Sequence, residues 1–150
     1  MTTRGARAAG GGVRGDLFDP HCPTRQLLDR IGTKWTSMAV KALADAAPDE
    51  VRFAELRRRM PGVSQKMLSV TLRSLTRDGL VSRRVEPAVP PQVFYRLTGL
   101  GLSLEAALAG LRTWAEEHMA EIDRANEAAD QEADEGRTAS PGSARSAPRT

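Results

Sequence analysis

Four residues, Pro61-Gly62-Val63-Ser64, separate two short segments of helical periodicity. Before them, Phe53, Leu56 and Met60 recur at i, i+3 and i+7. After them, Leu68, Leu72 and Leu75 mark one buried stripe. A connection of four residues that includes glycine is the length that joins the helices of a helix-turn-helix. Pro61-Gly62 stops the first of the two helices. Ser64 is suited to cap the second, which is predicted to run to Asp78 and end at Gly79.

Two strands follow. Leu80 to Val85 alternates, with Val81 and Val85 set among Ser82, Arg83 and Arg84. Val93, Tyr95 and Leu97 alternate with Phe94 and Arg96. This is a hairpin pattern. Its loop, Glu86 to Gln92, holds three prolines, which remove donors and stiffen the tip. The charge is local as well. Residues 52–96 carry ten Lys/Arg against three Asp/Glu, a net +7 (10 − 3), in a chain whose total is +3. Basic charge gathered on a helix-turn-helix with a hairpin behind it is the electrostatic footprint of a DNA-binding module.

Helices flank this unit. One is predicted from Pro23-Thr24 to Ile31, with Thr24 as its cap, Gly32 as its stop, and Leu27, Leu28 and Ile31 at helical spacing. A second starts near Trp35, carries Met38, Ala39, Ala42 and Leu43 on one face, and ends before Pro48. Val51-Arg52 can add a very short strand. Thr98 can cap a last helix in which Leu104, Ala107, Leu108, Leu111, Trp114, His118, Met119 and Ile122 recur over five turns. That stripe exceeds what a small core can cover, and a second copy of the chain is its simplest partner.

Residues 1–15 hold five glycines, three arginines and no acid. Residues 125–150 hold no aromatic, Leu, Ile or Val. Such segments bury too little apolar surface to offset their ordering entropy, so both ends are expected to be disordered tails, 1–15 and 126–150. The folded domain is expected over residues 16–125. No apolar run approaches the ~20 residues of a membrane helix, and the start lacks the apolar stretch of a secretory signal. A single cysteine, Cys22, rules out an internal disulfide and fits a reducing cytoplasm.

The Ser64-capped helix is the candidate reader. Ser64, Gln65, Lys66, Ser69, Arg73 and Arg77 lie off its buried stripe, and its first turns enter the major groove first in such motifs. Gln can pair with adenine, and Lys with guanine or phosphate. The blander alternative is a solvated polar face on a structural helix. Arg83, Arg84 and Arg96, on the hairpin strands, can reach phosphates or serve only to protect a sheet edge. Arg57, Arg58 and Arg59 fan around their helix, so one phosphate contact is expected, with the others in salt bridges or water.

Cys22 stands before a helix N-terminus and beside His21, an environment that lowers a thiol pKa. It is a candidate sensor; the alternative is a small packing residue. Asp19, His21 and Cys22 crowd too closely for a tetrahedral metal site, so no metal is expected. No phosphate loop and no nucleophile–base pattern supports an enzyme, and no cofactor is expected.

These residues resemble the HxlR-type transcription regulators, winged-helix proteins related to the MarR group. The matching stretches are Cys22-Pro23, Ile31-Gly32-Thr33-Lys34-Trp35-Thr36 and Arg52-Phe53-Ala54-Glu55-Leu56. They continue with Pro61-Gly62-Val63-Ser64-Gln65-Lys66-Met67-Leu68, Leu72-Arg73-Ser74-Leu75 and Asp78-Gly79-Leu80-Val81. Val89-Pro90-Pro91-Gln92-Val93, Tyr95-Arg96-Leu97-Thr98, Gly101 and Trp114 complete an ordered series over about residues 20–118. The chain departs at Phe94, where the family usually has an acid, and near Pro87, where it often has an aromatic.

The resemblance implies an α+β, helix-dominated winged helix-turn-helix with N-terminal and long C-terminal dimerisation helices. Leu27, Leu104, Leu108, Leu111, Trp114 and Ile122 are the expected dimer interface. It also implies operator binding by the Ser64-initiated helix and the wing. Cys22 matches a cysteine that some members use to sense oxidants or electrophiles. The expected partners are double-stranded DNA, a second copy, and a small-molecule or oxidant effector. The rival readings are a winged-helix protein-interaction module without DNA function, and a dimerisation domain of an enzyme.

Overall fold

The computed structural model describes residues 15–139. The expected disorder of residues 1–14 and 140–150 lies outside it. The elements are α1 (Pro23–Ile31), α2 (Lys34–Ala46), β1 (Val51–Arg52), α3 (Phe53–Arg59), α4 (Gln65–Arg77), β2 (Val81–Glu86), β3 (Gln92–Leu97) and α5 (Gly99–Thr138). The three strands form an antiparallel sheet in the order β1-β3-β2.

Local chemistry sets the boundaries. Thr33 caps α2 by accepting the Thr36 N–H at 3.2 Å, and Ser64 caps α4 by accepting the Met67 N–H at 3.0 Å. Gly62 takes φ +85 in the turn between α3 and α4, a left-handed conformation that costs a side-chain-bearing residue most. The cap of α1 differs from the sequence expectation: Cys22, not Thr24, is the N-cap, with Pro23 at the first helical position.

The core gathers α2, α3, α4 and the inner face of the sheet. Leu43, Leu56, Met60, Leu68 and Leu72 are its largest fully buried side chains, joined by Val51, Val63, Leu75, Leu80, Val81, Tyr95 and Leu97. α1 contributes no buried residue, and only Ile31 packs against the core from it. Val85 shares the strand parity of Val81 but is 45% exposed.

Two compact units divide the chain after Ala109. In the first, Gly101 is buried, and Leu104 and Leu108 are half-buried and pack against the core. Thr98 anchors the start of α5. Its Oγ1 accepts the Gly101 N–H and donates to the Gly79 carbonyl, while its N–H donates to the Leu80 carbonyl. In the second unit α5 continues to Thr138, well past the boundary at residue 125 expected from composition. The segment lacks large apolar residues, but its alanines, glutamates and Gln131 are good helix formers. Leu111 and Trp114 are exposed, and the Trp114 ring stacks on His118 at 4.7 Å. Among the described residues, no helix is long and apolar enough to cross a membrane.

Candidate nucleic-acid interface

α4 buries Leu68, Thr71, Leu72 and Leu75 and turns its other faces outward. Gln65, Lys66, Arg73 and Arg77 are exposed, and Ser69 and Thr76 are half-buried. Gln65, Ser69, Arg73, Thr76 and Arg77 form one wall of a cleft. Arg83 of β2 stands across from them, and Phe53, Val93 and Tyr95 make the floor. The Phe53 and Tyr95 rings lie 6.5 Å apart at 51°, so the floor is an aromatic ledge. Thr76 donates its hydroxyl to the Leu72 carbonyl at 2.7 Å, which leaves Gln65 and Ser69 as the polar readers on that wall. Ser64 is spent as the cap and supports the wall without belonging to it.

Strand parity separates the hairpin arginines. Arg83 pairs with Tyr95 across the ladder and shares its inner face. Arg84 pairs with Phe94 and belongs to the outer face. Arg84, expected to bind DNA, is engaged on that outer face. Its Nε donates to Glu50 Oε2 at 2.9 Å, and Nη2 lies 2.8 Å from the same oxygen. Its guanidinium sits 4.4 Å over the Phe94 ring. The Arg84 hydrogen bond holds the Glu50 carboxyl below its ordinary range, against opposing desolvation, with Arg96 adding attraction. Glu50 is thus the carboxylate that Arg84 meets at the wing base.

The arginine run on α3 also sorts itself. Arg58 and Arg59 both pair with Glu55. Arg57 makes no ion pair with a described residue and lines a second depression beside Gln65. Lys66, Arg73, Arg77 and Arg83 likewise have no carboxylate partner among the described residues. Five unpaired cations therefore stand on or beside α4. Sequence reasoning left out Met67 and Val70, which are 42% and 49% exposed on α4. Their signal was available, because neither falls on the Leu68–Leu72–Leu75 stripe.

Cys22 is fully buried. Its sulfur forms no cap bond of full hydrogen-bond geometry, yet nearby N–H groups hold the thiol below its ordinary range. The Arg25 N–H contributes most, burial opposes it, and Gly15 and Thr24 add to it. His21, expected to help, instead faces Asp19 at 3.5 Å and is not among the causes. Among the described residues, no three His, Cys, Asp or Glu side chains group as metal ligands.

Of the expected interface residues, Leu27 is half-buried on α1. Leu104 and Leu108 are partly spent on the core, Leu111 and Trp114 are 63% and 53% exposed, and Ile122 is half-buried. Leu100, Leu102 and Met119 are further exposed apolar residues on α5.

Known proteins share this arrangement. The description "HxlR-like helix-turn-helix" matches residues 30–123. The chain is 38% identical over 108 residues to the HTH-type transcriptional regulator YtfH of Escherichia coli strain K12, covering 72% of this chain and 83% of that one. The solved transcriptional regulator ytfH of Salmonella typhimurium superposes with a TM-score of 0.69 at 38% identity, covering 76% of this chain and 99% of that one. The redox regulator HypR in its reduced form superposes with a TM-score of 0.60 at 36% identity, covering 68% and 98%.

Proposed function

Because the chain belongs to the HxlR-like helix-turn-helix family of transcription regulators, we propose that it binds double-stranded DNA as a homodimer on a palindromic operator. α4 is then the reader. Gln65, Lys66 and Ser69 meet base edges, while Arg73, Arg77 and Arg83 meet phosphates. The observation that carries this reading is the cleft itself, where cations from α4 and β2 face each other with no carboxylate to neutralise them. Such cations repel one another, and an anion between them relieves that repulsion. Leu111 and Trp114 are the apolar surface left for the second copy. Two readers related by a two-fold axis would stand roughly 34–36 Å apart, one helical turn of DNA.

Fluorescence anisotropy with a labelled duplex taken from upstream of the gene tests the reading. If a dimer meets ~6 phosphates, log affinity falls with log salt at a slope of about −5. A slope near zero refutes DNA binding. Lys66→Ala or Gln65→Ala costs on the order of 1–3 kcal/mol if the residue reads a base.

A redox-responsive regulator is the finer reading, favoured by the lowered thiol pKa of Cys22 at the head of α1. HypR, described as a redox regulator, shares the fold. With no second cysteine in the chain, oxidised Cys22 must give a cross-dimer disulfide, a mixed disulfide with a small thiol, or a higher oxide. Because the thiol is buried, local opening of α1 precedes any of these. Operator affinity before and after peroxide, in the wild type and Cys22→Ser, decides the point. Equal responses, or none, make Cys22 a packing residue.

A further inference from the structure

One ion pair joins the lightly anchored α1 to the reader α4. Arg30, in the last turn of α1, directs Nε to Asp78 Oδ2 at 2.9 Å and Nη2 to Asp78 Oδ1 at 3.0 Å. Its Nη1 donates to the Gln26 carbonyl at 3.2 Å, which fixes the fork. Asp78 is the C-cap of α4, and its side chain is 19% exposed. Both carboxylate oxygens are thus taken by one planar guanidinium, a geometry that Lys cannot reproduce.

The position of Asp78 makes this pairing matter. A carboxylate at the C-terminal end of a helix meets the negative end of the helix dipole. Here it also shares a surface depression with Arg73 and Arg77. Those two arginines line the same depression as Asp78, which makes them its alternative partners, and they are the phosphate contacts of the proposed function. A carboxylate that captures one of them removes a cation from the DNA face and leaves negative charge beside the duplex. We propose that Arg30 sequesters Asp78 and thereby keeps Arg73 and Arg77 free for phosphate. Arg30 is then a positioning residue for DNA binding that touches no DNA. The inference rests on the proposed DNA-binding role.

Phosphate contacts are independent of sequence, so a labelled 20-base-pair duplex of mixed sequence serves as the probe. Affinity is measured from 50 to 200 mM salt for the wild type, Arg30→Ala, Asp78→Asn and the double variant. Losing one cation per protomer makes the slope of Arg30→Ala shallower by about 2 per dimer. The wild type then weakens roughly tenfold more than Arg30→Ala over that salt range. Asp78→Asn keeps the wild-type slope, and the double variant regains it, because no carboxylate remains to be sequestered. Arg30→Lys falls between the wild type and Arg30→Ala.

A double variant that stays as shallow as Arg30→Ala overturns the inference. Arg30 would then touch phosphate itself or serve only to hold α1, and in either case removing Asp78 rescues nothing. Wild-type slope in Arg30→Ala also overturns it, while leaving the proposed function standing. A wild-type protein that binds no duplex refutes both.

Discussion

Gly101→Ala adds a single methyl group at the start of α5, and the structure says what that methyl meets. An ideal Cβ there lies 2.1 Å from the Leu80 carbonyl oxygen, 3.0 Å from Leu97 Cδ2 and 3.1 Å from the Leu80 carbonyl carbon. The nearest atom is backbone, so no side chain can swing aside. Relieving the contact to 3.0 Å moves α5 or the α4–β2 connection by about 0.9 Å (3.0 − 2.1). The same Leu80 oxygen accepts the Thr98 N–H at 3.1 Å, and Gly101 N–H donates to Thr98 Oγ1, so the shift also loosens the anchor of α5. Overpacking of this kind costs about 1–3 kcal/mol, and a loosened hydrogen bond about 1 kcal/mol more. The intrinsic preference of a helix for Ala over Gly returns roughly 1 kcal/mol. The expected net loss is about 1–3 kcal/mol.

Gly110→Ala is the matched comparison. It is the same change in the same helix, with nothing within 4 Å of the new Cβ. It should stabilise by roughly 0.5–1 kcal/mol. Urea unfolding followed by circular dichroism, at one fixed protomer concentration, gives both values. If both alanines stabilise, α5 does not approach Leu80 as closely as described, and the anchor built on Thr98 falls with it.

Three further outcomes are expected. Ser64→Ala removes the acceptor for the Met67 N–H and should lower stability by ~1 kcal/mol in the same unfolding assay. Because α4 is the reader in the proposed function, that variant should bind the probe duplex more weakly at 37 °C than at 10 °C relative to wild type. Leu111→Asp puts a charge on the exposed stripe of α5, so sedimentation at micromolar concentration should show monomers that have lost operator binding. Glu50 protonates less readily when folded than when unfolded, because Arg84 stabilises its charge. Its contribution is therefore complete above the ordinary carboxyl value of 4.5 and is lost as pH falls through the lower folded value. Glu50→Gln should be less stable than wild type at pH 7, with the gap closing on acidification. A gap that is constant with pH makes the Glu50–Arg84 pair irrelevant to stability.

Much of the fold was legible because its signals are local. The Pro61-Gly62-Val63-Ser64 turn, the Leu68–Leu72–Leu75 stripe and the cap at Ser64 all specify α4 within a few residues of themselves. The end of α5 was not legible in the same way. Composition says that residues 126–138 have nothing to bury, but a helix already under way needs only good propensity to continue. Tail composition predicts the absence of a core, not the absence of a helix. Likewise, Leu104 and Leu108 read from spacing as interface residues, yet they partly cover their own core, because periodicity marks an apolar face without saying what meets it.

The outward side of α4 was legible in the sequence and the two faces of β2 were not, for a reason that lies in the geometry of each. A helix turns 100° per residue, so side chains off one buried stripe share a broad outer surface, and a polar list from sequence lands mostly on the right side. A strand alternates by 180°, so neighbouring arginines are sent to opposite faces. Arg83 and Arg84 cannot both face the cleft, and the register Arg83↔Tyr95 decides which one does. The sequence held a hint of that register, since Tyr95 alternates with Phe94 and inward residues share parity with Val93 and Leu97. What it could not hold is the partner of the outward arginine. Glu50 lies 34 residues from Arg84, and only the pairing of β1 with β3 brings the two together. The same holds for Arg30 and Asp78, 48 residues apart. Charge counts along the chain locate the basic region, but which cations remain free within it depends on carboxylates that approach from distant elements. Arg30 and Arg84 are spent on such distant carboxylates, and Arg58 and Arg59 on Glu55 of their own helix. The cations left over are the ones that a phosphate backbone can use.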